Sequence, residues 1–177
     1  MKLLAFHAHA GDPLSMLIKA LTRSCYCHAA VLIDNAKWKA AWIQKYKIVG
    51  QGNLIVEEFF PHVRVRYLAP TELAEIDVFS VLGLTAKMED KGMKWCMDQL
   101  DARTAYGITD LFKFLPGPRA LLGEDNDQSF EKHSICSQFA FNAVRMGGLR
   151  LLNCHDYEVS PDKLQWSPFA IPEPKLK

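Results

Sequence analysis

The stretch EKHSICSQFAFNAVRMGG, Glu131–Gly148, places a cysteine two residues after a serine, just where an apolar helix begins. Ser134 is the expected N-cap, since its hydroxyl can accept a backbone N–H one turn ahead. Cys136 then lies in the first turn, where unpaired N–H groups and the positive end of the helix dipole favour a thiolate. At helical spacing Cys136 shares a face with Phe139, Ala140 and Ala143, an inward stripe suited to packing on a sheet. Gly147-Gly148 ends the helix. Two readings follow. Free cysteine is among the most buried residue types, so Cys136 can be a small core residue. It can also be a nucleophile, which requires a base and a group to orient that base.

Six histidines are available: His7, His9, His28, His62, His133 and His155. His28 begins CHAAVLID, a short apolar run ending in the turn signal Asp34-Asn35, and so belongs to a buried strand. His133 precedes the cap and reads as solvent-facing. Glu57 and Glu58 interrupt the apolar strand LIVEEFF. On a strand one of the two must face inward. A carboxylate facing a core needs a partner, and His28 on a neighbouring strand is a natural one. Arg64 and Arg66 alternate with Val63, Val65 and Tyr67 and read as a solvated strand face.

Outward from these residues the pattern divides into two regimes. AGDPLSMLIKALTRS predicts a helix with Asp12 as N-cap and Pro13 at its first position. KWKAAWIQKYKIV is ambiguous; the alternation of Trp38, Ala40 and Trp42 favours a strand. LIVEEFF, HVRVRYL and EIDVFSVLG predict further strands, the first broken by Pro61. From Thr85 the period changes, and TAKMEDKGMKWCMDQLDA and AYGITDLFKFLPGP predict helices. The tail VSPDKLQWSPFAIPEPK reads as a proline-punctuated wrap over the surface. Segregated strands and helices point to an α+β fold, with an antiparallel sheet of four to six strands packed against helices in one domain spanning 1–177.

Composition narrows the function. The 177 residues carry a formal net charge of +1 with 49% hydrophobic residues, ordinary for a globular protein. That balance speaks against a nucleic-acid-binding face and against polybasic membrane binding. No apolar run reaches the length of a membrane span, and MKLLAFHAHAGD does not read as a signal peptide, so the expected location is cytoplasmic and stable membrane insertion is not expected. Five cysteines, Cys25, Cys27, Cys96, Cys136 and Cys154, are odd in number and irregular in spacing, which argues against a disulfide framework. Cys25, Cys27 and His28, with Cys154 and His155, offer soft ligands, but not at the spacings of structural zinc sites. His7 and His9 read as an exposed strand end, and no metal or other cofactor is expected. The four tryptophans read as packing residues, and EDND as a solvated loop.

At this point the chain resembles the circularly permuted branch of the NlpC/P60 papain-like superfamily, with its YiiX-like and LRAT-like members. AGDPLSMLIKALTRSCYCHAAVLID is similar to the opening turn, helix and histidine-headed strand of that family. LIVEEFFPHVRVRYL resembles its strand pair, AYGITDLF its tyrosine-bearing helix, ICSQFAFNAVRMGG its cysteine helix and VSPDKLQWSPF its closing segment. The order matters: His28 precedes Cys136, as a permuted chain requires. The resemblance implies a permuted papain-like architecture, with Cys136 as nucleophile and His28 as base. It places the third, polar position on Glu57, with Glu58 as the alternative, and Tyr106, Ser134 and Ser137 at the substrate. The activity implied is a thiol hydrolase, peptidase or amidase in kind, or an acyltransferase. Its substrate would be an amide bond, of a cell-wall peptide or related compound, or an acyl bond of a lipid-like molecule. A catalytically inactive binding module on the same fold is the alternative.

Overall fold

The computed structural model describes residues 1–7, 13–107, 133–154 and 159–176. The strands are β1 (Lys2–His7), β2 (Tyr26–Leu32), β3 (Leu54–Phe59), β4 (His62–Tyr67), β5 (Ile76–Val81), β6 (Ala105–Tyr106), β7 (His133–Ser134) and β8 (Ala170–Glu173). The helices are α1 (Pro13–Thr22), α2 (Ala36–Tyr46), α3 (Ala86–Asp101) and α4 (Cys136–Gly147), with 3-10 turns at Pro70–Glu75 and Lys163–Trp166. The fold is α+β, as the segregation of strand and helix patterns predicts.

The sheet runs β7-β6-β4-β3-β2-β1-β5-β8, eight strands rather than four to six. Neighbours are antiparallel throughout except β6 and β7, which pair in parallel. The excess has an identifiable source. β6 and β7 are two residues each, too short for any periodicity to register. β8 lies in the proline-rich tail, where it pairs with β5 as an edge strand, the position in which proline is tolerated. β1 comes from the N-terminal run and occupies the middle of the sheet between β2 and β5.

α2 corrects the strand expected at KWKAAWIQKYKIV. Trp38 and Trp42 satisfy an alternating pattern, but with Tyr46 they also recur every four residues. Asn35 decides between the periods, its side-chain oxygen accepting the Lys37 N–H at 3.0 Å and starting the helix. Trp42 is then fully buried, its ring 5.3 Å from that of Tyr46. α3 forms where the change of period predicts a helix, and Thr85 caps it. The helix expected at AYGITDLFKFLPGP begins instead as strand β6, and its remainder lies outside the described residues.

The main core lies between one face of the sheet and α3 and α4, with Leu3, Ala29, Val31, Val56, Met93 and Phe139 buried in it. A second cluster, including Leu4, Phe6, Ala30, Leu32 and Ile55, covers the other face. Coverage of both faces explains why β2 is an unbroken apolar run over residues 29–32. α3 and α4 cross closely at a glycine: a Cβ added to Gly92 would sit 2.3 Å from the Ala143 carbonyl oxygen. This close crossing seats α4 firmly over β2 and β3, with its N-terminus at the end of the sheet where His28 begins.

Among the described residues no helix is long and apolar enough to cross a membrane.

Candidate functional site

Cys136 is the first residue of α4 and is 1% exposed. The cap differs from expectation. Ser134 belongs to β7, paired with Tyr106 of β6, and Ile135 is the capping residue. The Gln138 side-chain oxygen accepts the Ile135 N–H at 3.0 Å, so the side chain that braces this helix end comes from inside the first turn. The inward face is as the spacing predicts, with Phe139, Ala140 and Ala143 all buried.

His28 stands on β2 with only a small part of its ring accessible. Its Nε2 lies 2.8 Å from Glu57 Oε2, across the β2–β3 pair. Phe6 packs obliquely on the ring at 5.0 Å, and Phe59 meets it edge-on at 5.8 Å. With Nε2 on the carboxylate, Nδ1 is the ring nitrogen left to serve Cys136. Burial alone disfavours the imidazolium. The charge of a Cys136 thiolate, a hydrogen bond with that sulfur, and the bond and charge of Glu57 outweigh it, and the His28 pKa rises to about 10.

Glu57 lies on the same face of β3 as Ile55 and has no exposed surface, and both carboxylates of the strand are buried rather than one. Burial pushes its pKa up, but the hydrogen bond and charge of His28 and then of Arg66 pull it well below the usual carboxylate range. Arg64 Nε donates to Glu57 Oε1 at 2.7 Å, and Arg66 Nε to the same oxygen at 2.6 Å. These two arginines correct the expectation of a solvated strand face. A signal for them existed. The hairpin folds about Phe60-Pro61, placing Arg64 directly opposite Glu57 and Arg66 two residues further along the same face. A fully buried acid needs such counter-charges. Arg64 also stacks 3.7 Å over the Phe59 ring.

Glu58, the alternative third residue, is buried on the opposite face of β3. Its charge acts on Tyr106, and Glu57 holds the contact with His28. Tyr106 packs with Cys136, Cys27, Ile18 and Ile135. Burial, then the charge of Cys136, then that of Glu58 hold its phenol protonated far above the ordinary range. A pocket of about 30 Å³ opens beside these groups, lined by Ser15, Ile18, Cys27, His28, Phe59, Phe60 and Tyr106. Tyr106 is thus one of the residues around this pocket. Ser137 does not serve it: fully buried, it donates its hydroxyl to the Val159 carbonyl at 2.6 Å and ties α4 to the C-terminal segment.

The remaining histidine and cysteine candidates do not converge. His7 Nε2 pairs with Asp77 at 2.9 Å, and Tyr26 donates to the same carboxylate oxygen at 2.6 Å. Cys27 Sγ lies against the Phe6 and His7 carbonyls, and Cys25 is exposed. Among the described residues no three His, Cys, Asp or Glu side chains are grouped to hold a metal. Asp12, His9, His155 and EDND lie outside the described residues.

The chain is thus an α+β protein with a buried Cys–His–Glu–Arg cluster beside a small pocket. No protein-family model matches it, and no curated protein does.

Proposed function

We propose that the chain is a thiol hydrolase or acyltransferase of permuted papain-like architecture, acting on an amide bond, of a cell-wall peptide or related compound, or on an acyl bond. The observation that carries this reading is the His28–Glu57 hydrogen bond at 2.8 Å, made beside a cysteine at the start of a helix. Glu57 holds the Nε2 proton, so proton exchange with substrate and sulfur falls to Nδ1. The raised His28 pKa favours a resting imidazolium.

In the acylation step the Cys136 thiolate attacks the carbonyl carbon, and the C–N or C–O bond breaks. His28 gives its proton to the leaving amine or alcohol, and a thioester remains on Cys136. The Cys136 backbone N–H, with one other donor, stabilises the oxyanion. Water, or an acceptor amine or alcohol, then loses its proton to His28 and releases the acyl group.

One observation favours a second reading, a non-catalytic binding module on the same fold: Cys136 is 1% exposed and packs under Tyr106. The pH dependence of iodoacetamide labelling at Cys136, in wild type and in His28→Ala, separates the two. The catalytic reading expects fast labelling that persists below about pH 7 and is slowed by His28→Ala. Slow labelling, unchanged by the substitution, would leave Cys136 a core residue and give the binding module precedence.

A further inference from the structure

We infer that Arg66 and Glu72 are positioning residues of this site, a clamp that keeps Glu57 ionised and in one orientation through both protonation states of His28. The inference rests on the catalytic reading above.

The geometry is a two-sided grip. Arg66 presents Nε to Glu57 Oε1 at 2.6 Å and Nη2 to Glu57 Oε2 at 3.4 Å. Its outer end meets Glu72 in a fork, Nη1 to Oε2 at 2.7 Å and Nη2 to Oε1 at 2.8 Å. Glu72 is fixed in turn, because Oε2 also accepts the Ala69 N–H at 2.7 Å at the start of the Pro70–Glu75 turn. A continuous path of charge-assisted hydrogen bonds therefore runs from a surface turn through Arg66 and Glu57 to His28. Arg64 makes a single bond to Glu57 and is more exposed than Arg66. Only a planar guanidinium can engage two carboxylates on separate edges.

The chemistry requires such a clamp. At rest, His28 and the arginines together balance the buried Glu57 charge. Once His28 hands its proton to a leaving group, that imidazolium charge is gone. A buried carboxylate stripped of a counter-charge takes up a proton or turns away. Arg66, held from outside by Glu72, stays in place, so Glu57 keeps accepting the Nε2 proton and Nδ1 keeps facing Cys136. The charged and titratable groups around this centre are His28 and Cys27 from β2, Glu58 from β3 and Arg64 from β4. Glu72 joins them from the 3-10 turn, Tyr106 from β6 and Cys136 from α4.

The test uses the full chain with Arg66→Gln, Arg66→Lys and Glu72→Gln, reading the iodoacetamide rate at Cys136 across pH beside a circular-dichroism check of folding. Glu72 is partly exposed, so its variant retains a folded chain to measure if Arg66→Gln does not fold. The expected result is selective. Labelling near pH 8 stays within about twofold of wild type, while below about pH 6 it falls roughly tenfold in Arg66→Gln, one pH unit of displacement of the acid limb. Glu72→Gln moves the acid limb in the same direction by less, and Arg66→Lys does not restore it. A wild-type profile in the folded variants, or uniform slowing at every pH, overturns the clamp. If His28→Ala itself leaves wild-type labelling unchanged, the catalytic reading falls and the clamp falls with it. If His28→Ala slows labelling and the Arg66 and Glu72 variants keep the wild-type acid limb, only the clamp falls.

Discussion

Glu57→Gln tests the arrangement at its most constrained point. The substitution keeps size and shape but removes the charge from a side chain with no exposed surface. The amide retains one acceptor oxygen for the three closest donors, His28 Nε2, Arg64 Nε and Arg66 Nε, at 2.8, 2.7 and 2.6 Å. It also turns an NH₂ donor towards at least one of them. Hydrogen bonds to charged groups contribute about 1.5–3 kcal/mol each, but the three share one carboxylate and do not add. Breaking a buried charged network by neutralising one member costs about 3–5 kcal/mol, and that is the loss expected here. With a urea m-value of about 2 kcal/mol/M, the unfolding midpoint falls by roughly 2 M at unchanged m. The loss is also pH-dependent, with a sign set by the two shifts. Glu57 is depressed from 4.5, so its contribution is present above that value and lost as pH falls. His28 is raised from 6.5 to about 10, so its contribution is complete below 6.5 and declines as pH rises towards about 10. The difference between wild type and variant is therefore largest between 4.5 and 6.5. A loss under about 1 kcal/mol in that window, or one that does not vary with pH, would refute the account of Glu57 as a buried, ionised hub.

Two further perturbations check neighbouring parts of the structure. Cys136→Ala removes the charge and hydrogen bond that do most to raise His28, so the His28 ring titration followed by NMR moves down from about 10; an unmoved titration would show that the sulfur and the ring do not interact. Gly92→Ala puts a methyl 2.3 Å from the Ala143 carbonyl and forces α3 away from α4. The expected cost is about 1–3 kcal/mol, read as a lower midpoint of thermal unfolding, and an unchanged midpoint would contradict the close crossing.

Local chemistry made several parts of this protein legible from residue order. The apolar run at His28–Ile33 must be a buried strand, and Pro61 must interrupt LIVEEFF. Cys136 must enter a helix on the face of Phe139 and Ala143. That a carboxylate of the Glu57-Glu58 pair needs a partner such as His28 follows from a rule that holds without coordinates; that it is Glu57, with Glu58 equally buried on the other face, came from the strand register. Other features depended on contacts distant in sequence. Trp38, Trp42 and Tyr46 fit two periods, and α2 won through the Asn35 cap and the burial of Trp42. β6, β7 and β8 are too short or too proline-rich to carry a pattern and exist because a sheet edge was there to receive them. Ser134 has the chemistry of a cap, yet strand pairing to Tyr106 claimed its backbone and left capping to Ile135 and Gln138. Arg64 and Arg66 alternate like solvent-facing residues. Only the hairpin register, which brings them beside Glu57, turned them inward in function. The sequence by itself thus determined which residues had chemistry to offer and which had to be buried, because propensity and desolvation act residue by residue. Which of them meet was decided by the tertiary structure, because strand register and helix docking depend on the whole core.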